Sequence, residues 1–381
     1  MAALLAPLVG VLAPKGLAPL IFALGLWGWI VGWRAVVARP PRLLLAIAAL
    51  VALLDLWALV TLIWTPSLTE AALSWINVTA VALALPPLLR LPVDETARRA
   101  LVIGAVLALP AMIGQMLFDY AALRWAVEAQ GKDFEKTLAS RGLINLMLFA
   151  WPAALVLVDR GKWWLAVGLL LAAVIAVFAG VSNSAQLAAV GSVLAAVAAF
   201  ALPRAIPTAL AAVVAIGILT APVTVPAVLA PANYASVLED RYYSSLHRLY
   251  IWEFASQRIH DRAVAGWGHD ASPHIPGGDA KLPHGGNYIN MHPHNGSLQV
   301  WLEHGGIGAV LWAALLGMVA WSLRRLRGRW PAALATGQLV AALVIVHLSF
   351  GIWQTAWLAM LGFAAVTMRV GATHLKSSSR P

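Results

Sequence analysis

Long apolar runs separated by short polar turns recur along nearly the whole chain, and this pattern predicts helices rather than strands. The runs fall approximately at residues 2–13, 17–33, 43–64, 70–89, 100–119, 142–158, 163–181, 185–202, 205–226, 297–322, 331–350 and 352–369. Most approach the roughly 20 residues that an α-helix needs to cross a bilayer core. The expectation is an all-α, polytopic integral membrane protein with about 12 transmembrane helices. The first run is short and followed by Pro14 and Lys15, so it reads either as half of a hairpin with the second or as the remainder of a longer element. No positively charged stretch precedes it, which argues against a cleaved secretory signal.

Two interruptions are long, at 120–141 and 227–295, while most other loops are short. The expected organisation is therefore helices 1–9 over residues 1–226, a polar loop over 227–296, helices 10–12 over 297–370 and a tail over 371–381. Within the large loop, "SSLHRLYIWEFASQRIH" places Arg248, Ile251, Trp252, Ala255 and Ile259 at helical spacing. That spacing predicts an amphipathic helix lying at the membrane interface. The following "GWGHDASPHIPGGDAKLPHGGNY" is rich in Gly and Pro and predicts irregular backbone folded over the outer mouth of the bundle. No internal repeat is evident.

Composition supports the membrane reading, with 61% hydrophobic and 11% charged residues and a mean hydropathy of +0.81. Basic residues then set an expected orientation. With a cytoplasmic N-terminus, Arg34, Arg39, Arg42, Arg90, Arg98, Arg99, Arg160, Lys162, Arg204, the 324–329 arginines, Arg369, Lys376 and Arg380 all fall on the cytoplasmic side. Both long loops then face outward. The net charge of +10 is thus a consequence of topology facing anionic headgroups and calls for no nucleic acid. Cysteine is absent, which removes disulfides and thiolate metal sites.

Chemistry concentrates where the large loop enters the tenth apolar run, "MHPHNGSLQVWLEHGGIGAVL" at 291–311. Seven of the ten histidines lie in the loop: His247, His260, His269, His274, His284, His292 and His294. "HRLYIWEFASQRIHDRAVAGWGHDASPHIP" followed by "HPHNGSLQVWLEHGGIGAVL" resembles the bacterial O-antigen ligase and O-antigen polymerase family. "SRGLINLMLFAWPAALVL" and "GVSNSAQLAAVGS" look like family segments too, so the resemblance spans about residues 139–311.

The resemblance implies a GT-C-like membrane glycosyltransferase, inverting and metal-independent, at the periplasmic face of the bacterial inner membrane. Its donor would be a glycan on undecaprenyl pyrophosphate. For a ligase the acceptor is the lipid A–core oligosaccharide; for the alternative, a polymerase of O-antigen or exopolysaccharide, it is another lipid-linked repeat. The family's histidine before Asn corresponds to His294, and its loop arginine to Arg248. Its second arginine, after a serine on a membrane helix, has no counterpart in "VSNSAQ". Either neutral donors of that stretch, Ser184 among them in the substrate site, replace the charge, or Arg141 supplies it with Gln186 assisting, which is the favoured reading.

The residue types suit those roles. Transfer from a pyrophosphate to an alcohol needs a base at the acceptor hydroxyl and positive charge at the leaving group. His294 precedes a helix N-terminus, which disfavours the imidazolium and keeps a base available. Arg248 offers a bidentate phosphate fork. Trp252 reads as an interfacial anchor ahead of a sugar platform, Asn295 as a loop-positioning residue within the substrate site, and His292 and His304 as bystanders. Glu303 would either orient His294 or a nearby arginine, or form a structural ion pair; Gly305, Gly306 and Gly308 read as sites of close helix approach. His347 and Asp55 read as structural polar contacts. A zinc site is disfavoured because no H-E-x-x-H occurs and "LEHGG" has the wrong order. No cofactor is expected. A transporter or flippase is disfavoured because the polar residues gather in one outer loop rather than at mid-membrane.

Overall fold

The computed structural model describes residues 2–38, 41–131, 133–134, 136–238, 243–282, 285–289 and 291–373. Arg39, Arg241, His284, Lys376 and Arg380 lie outside them, as does most of the expected tail. The described residues form helices α1 (Ala2–Leu12), α2 (Leu17–Val37), α3 (Arg42–Thr61), α4 (Leu68–Arg90), α5 (Glu95–Leu117), α6 (Ala121–Glu128), α7 (Ser140–Asp159) and α8 (Trp163–Ala179). They continue as α9 (Asn183–Ala201), α10 (Ala205–Val228), α11 (Pro231–Leu238), α12 (Tyr243–Asp261), α13 (Gly296–Ser322), α14 (Arg329–Leu348) and α15 (Thr355–Ala372). Apart from a bridge between Lys281 and Asn287, no β-pairing occurs among the described residues.

The chain is thus a polytopic, all-helical membrane protein. Ten of its described helices are long and apolar enough to cross a membrane, two fewer than the twelve runs expected. The difference lies in α1 and α8. At 1.5 Å per residue, the 11 residues of α1 reach about 16 Å, far short of the roughly 30 Å hydrocarbon core, and the 17 residues of α8 about 25 Å.

Helix α7 is the spine. Every residue from Gly142 to Leu157 is buried, and α1, α5, α8, α14 and α15 pack around it. Helices α9 and α14 run antiparallel, with Gly191 facing Val340 and Val344 and with Phe200 edge-on to Trp330 at 4.9 Å. One end of the bundle is tied by basic residues. Arg98, almost fully buried, pairs with Asp159; Arg160 pairs with Glu95; Arg369 donates to the Leu91 carbonyl at 2.8 Å and Arg90 to that of Ala38 at 3.1 Å. The ends of α2, α4, α5, α7 and α15 that the sequence assigned to a common side therefore meet at a common face.

At the opposite end the large loop builds a second apolar cluster from Leu249, Ile251, Trp252, Phe254, Ala255 and Ile259 of α12 with Ile275, Ile289, Leu298 and Leu302. The amphipathic helix expected in the loop is thus α12. Its apolar stripe is covered by α10, α11 and α13 instead of by lipid.

Below that cluster, α13 is interrupted rather than merely close-packed. Gly305 sits at φ 62° and ψ −163°, outside the helical region, so the backbone groups around it lose their partners along the helix. The 263–268 segment replaces them: Trp267 and Gly268 donate to the Leu302 and Glu303 carbonyls, each at 2.9 Å, and Gly306 donates to the Ala263 carbonyl at 2.8 Å. Such exchange is what a low-dielectric interior demands of a broken helix. Helix α3 flanks the segment, with Trp57 donating to the His304 carbonyl at 2.9 Å and Trp64 to that of Gly266 at 3.2 Å.

The two strands of this exchange approach so closely that both crossing points are glycine. A Cβ at Gly305 would lie 2.3 Å from the Val264 oxygen, and one at Gly266 would lie 2.6 Å from the Gly305 nitrogen. Gly305→Ala is therefore expected to lower the thermal unfolding midpoint of the detergent-solubilised protein, backbone strain alone costing about 1–3 kcal/mol. Gly168→Ala, whose added methyl meets nothing within 4 Å, should leave the midpoint unchanged or raise it.

Candidate active site

Helix α12 and the loop that follows it place a guanidinium and a cluster of imidazoles above the N-terminus of α13. Asn295 caps that helix, its side-chain oxygen accepting from the Ser297 and Leu298 N–H groups at 3.1 Å each. His294, immediately before the cap, holds a left-handed φ of 54°, which is uncommon for a residue with a side chain. Its N–H bonds the Nδ1 of His292 at 3.1 Å, and the two rings pack with centroids 4.2 Å apart. His292, expected as a bystander, thus braces His294.

The tautomer of His294 follows from its partner. Its Nδ1 lies 3.0 Å from the Ser349 carbonyl oxygen in the turn between α14 and α15, so Nδ1 carries the proton and Nε2 is left as an acceptor. His292 must do the opposite. Its Nδ1 accepts from His294, so Nε2 bears the proton; the Gln354 side-chain amide nitrogen lies 3.3 Å from that Nε2, and the amide accepts from it once turned to present its oxygen.

Burial lowers the pKa of His294, reinforced by the charges of Arg248 and His247 and opposed by the bond to Ser349. Burial also holds His292 down to about 3, with His294 and Arg248 adding to the effect. Both rings are therefore neutral near neutral pH, and Arg248 is close enough to influence each. The Arg248 guanidinium is itself lowered from its usual value by burial. Among the described residues no carboxylate pairs with it, so its charge faces the histidines uncompensated. His247, next in sequence, bonds the Asn287 carbonyl through Nε2 at 2.8 Å.

Trp252 lies one turn beyond Arg248 on α12. It is buried, and its indole N–H donates to the Pro293 carbonyl at 2.8 Å. The ring therefore clamps the segment carrying His294, which corrects its expected role as an interfacial anchor. Arg141 reaches the same region from α7, its guanidinium 5.8 Å from the ring centroid of Phe350, the neighbour of Ser349. Ser184 and Gln186 serve the turn between α8 and α9. Ser184 is 3.4 Å from the Ser182 hydroxyl that caps α9, and Gln186 donates to the Gly180 carbonyl at 3.3 Å. None of their hydrogen bonds reaches His294 or Arg248.

Glu303 stands apart from the cluster, buried two turns along α13. It meets neither His294 nor an arginine, the partners the sequence offered for it. Its carboxylate accepts from Ser272 Oγ and Trp353 Nε1, from Gln299 Nε2 at 3.1 Å and from the Asp270 N–H at 3.3 Å. Four donors on one carboxylate tie the large loop, α13 and the α14–α15 turn together. Gln299 extends the connection by accepting from the Ile352 N–H at 3.0 Å, three residues from Ser349. Beside it, His269 and the expected bystander His304 bond each other at 3.2 Å and pack against Trp353. His347 accepts from Ser297 Oγ at 2.8 Å and Asp55 accepts from Thr79 Oγ1 at 2.7 Å, both structural contacts as expected.

Sequence reasoning missed His292, His247, Ser349, Phe350 and Gln354 as parts of this site. The i, i+2 spacing of His292 and His294 was visible, but their ring contact depends on the left-handed turn. The α14–α15 contributions carried no local signal. Among the described residues, no group of three or more His, Asp or Glu side chains is arranged to hold a metal ion.

The fold and site define a polytopic helical membrane protein with a histidine–arginine centre at one end of its bundle. Residues 167–313 match the sequence model of the O-antigen ligase family. A Rickettsia conorii protein is 24% identical over 283 residues, covering 72% of this chain and 66% of the relative. A Rickettsia felis protein is 24% identical over 286 residues, covering 72% and 67%, and a Rickettsia prowazekii protein 28% over 150 residues, covering 38% and 37%. All three bear the name "Putative polysaccharide ligase". The chain spans about two thirds of the length of the first of them. Together these findings support membership of the O-antigen ligase family. The matched segment contains His294, Arg248, Trp252 and Glu303, whereas Arg141 lies outside it.

Replacing Glu303 by glutamine puts an amide donor where four donors converge. Glu303→Gln is expected to destabilise the protein by about 1–3 kcal/mol, the cost of an unmade buried hydrogen bond. It should also raise proteolysis of the 262–275 segment. Unchanged melting and unchanged cleavage would remove Glu303 as the tie between these three elements.

Proposed function

We propose that the protein is an O-antigen ligase-type glycosyltransferase, and that His294 Nε2 is the base that activates the acceptor hydroxyl. The donor in this reading is a glycan on undecaprenyl pyrophosphate and the acceptor a sugar hydroxyl of the lipid A–core. The reaction takes place at the periplasmic face of the inner membrane, with the arginine-rich end of the bundle in the cytoplasm. The observation that carries the proposal is the division of His294: Nδ1 donates to Ser349, leaving Nε2 as a neutral acceptor beside an arginine without a carboxylate partner.

Nε2 takes the hydroxyl proton as the acceptor oxygen attacks the anomeric carbon, and the bond from that carbon to the pyrophosphate oxygen breaks. Arg248, with Arg141 from α7, receives the charge that grows on the departing pyrophosphate. Attack opposite the leaving group inverts the anomeric centre, and no step in this scheme calls on a metal. The tautomer of His294, the unpaired guanidinium and the family match support the assignment. Asn295 contributes through its cap on α13, Trp252 through its clamp on Pro293, and Ser184 and Gln186 through the α8–α9 turn near the donor.

His294→Ala should abolish glycan transfer, with expression and membrane insertion unchanged; near-normal transfer overturns the base assignment. Arg248→Lys, which keeps the charge and loses the fork, should lower transfer by about 10-fold or more, equivalent to at least one hydrogen bond to a charged group. Because the folded-state pKa of His294 lies below 6.5, the neutral base persists as pH falls through 6.5. The acid limb of the pH–rate profile should accordingly have its midpoint below that value.

Lipopolysaccharide gels from a deletion strain separate the ligase from the polymerase of the same family. Loss of the whole high-molecular-weight ladder with donor accumulating supports the ligase. A core carrying one repeat unit identifies the polymerase.

A further inference from the structure

The end of the bundle remote from His294 carries a crevice that the transferase reading does not use. Its cause lies in how α3 packs. The buried residues of α3 are Leu54, Ala58 and Thr61, all in the half near the large loop, where Trp57 donates to the His304 carbonyl and Thr61 Oγ1 accepts from the His269 N–H. The half that begins at Arg42 has no comparable anchor and exposes Leu45. Helices α3 and α10 each pack against α13, and between them α13 forms a floor of small residues including Ala313 and Gly317. The resulting space is about 640 Å³, within the roughly 300–1,000 Å³ typical of small-molecule sites.

The mouth of this apolar space is cationic. Arg42 and Arg325 line it together with Trp321, and the guanidinium carbons of Arg325 and Arg324 lie 4.8 and 4.4 Å from the Trp321 ring centroid. Among the described residues, neither Arg42 nor Arg325 pairs with a carboxylate. The acidic groups at this end are Asp94, which caps α5 by accepting from the Ala97 N–H, and Glu95 and Asp159, which are engaged by Arg98, Arg99 and Arg160. An apolar crevice open to the bilayer beneath two uncompensated guanidiniums matches one chemistry: a phosphate headgroup with an attached acyl chain.

We propose that this crevice is a binding site for an anionic glycerophospholipid of the surrounding bilayer. An acyl chain lies over Ala313 and Gly317, and the phosphate bridges Arg42 and Arg325. Zwitterionic lipids bear a cation beside the phosphate and bind more weakly. The inference rests on neither the transferase assignment nor the sidedness of the membrane.

The test is native mass spectrometry of the full chain released from nanodiscs of equal phosphatidylglycerol and phosphatidylcholine. The wild type is expected to retain phosphatidylglycerol about fivefold over phosphatidylcholine, and Arg42→Gln with Arg325→Gln to bring retention to parity. Arg34→Gln, which removes a charge on α2 away from the crevice, should preserve the preference. Should the double variant not fold, phosphatidylglycerol should still raise the melting temperature of the wild type more than that of Gly317→Leu, which fills the floor. Equal retention of both lipids by the wild type, an undiminished preference in the folded double variant, or identical lipid stabilisation of wild type and Gly317→Leu would each overturn the proposal. So would stoichiometric displacement of the phospholipid by an added polyprenyl phosphate, which would assign the crevice to an isoprenoid lipid.

Discussion

A helix that breaks inside a low-dielectric bundle must find new partners for its backbone, and the break at Gly305 organises one end of this protein. Cutting α13 there exposes carbonyls at Leu302 and Glu303 and amides beyond the break, and the 263–268 segment of the large loop supplies the complementary groups. The loop is therefore threaded into the bundle beside α3 instead of resting on it. Glu303, two residues before the break, consolidates the same junction through four donors from three parts of the chain. The arrangement satisfies each polar group through a segment distant in sequence, so loop and bundle are mutually dependent.

That dependence gives the His294 region its geometry. The histidine sits on a short stretch held from below by the Asn295 cap, from one side by Trp252 of α12 and from the other by the Ser349 carbonyl. Its tautomer and orientation are thus set by separate elements, a form of preorganisation that side-chain flexibility alone could not provide. Around it the positive charge is left without nearby carboxylates, whereas at the far end Arg98, Arg99 and Arg160 are engaged with Glu95 or Asp159, and Arg90 and Arg369 with backbone carbonyls. The two ends differ accordingly: one is tied by charge pairs, the other keeps cationic and neutral-base groups available.

Much of this was legible in the sequence, because the bilayer imposes a strong one-dimensional signal. Apolar runs marked the helices, and the arginines at their ends marked the face that the structure gathers together. Helical spacing located α12, and the resemblance pointed to His294 and Arg248. The same signals failed where they report only amphipathicity. The stripe of Ile251, Trp252, Ala255 and Ile259 is indifferent to whether lipid or protein covers it, and the structure packs it against protein. Gly305, Gly306 and Gly308 suggested close packing, yet glycine serves packing and chain breaks alike. Length left the number of crossings open at α1 and α8, whose helices run 11 and 17 residues.

Composition and periodicity determined that the chain is helical, membrane-embedded, asymmetric in charge and equipped with a histidine-rich loop. Each of these properties is carried by local residues and needs no distant contact. Which residues meet was decided only by tertiary structure. His292 against His294, Ser349 fixing the tautomer, Trp252 holding Pro293 and Glu303 joining three segments all involve hydrogen bonds or ring contacts set by chain threading. The physical reason is that hydrophobic burial in a bilayer is nearly non-directional and selects elements, whereas hydrogen bonds in its dry interior are directional and select partners.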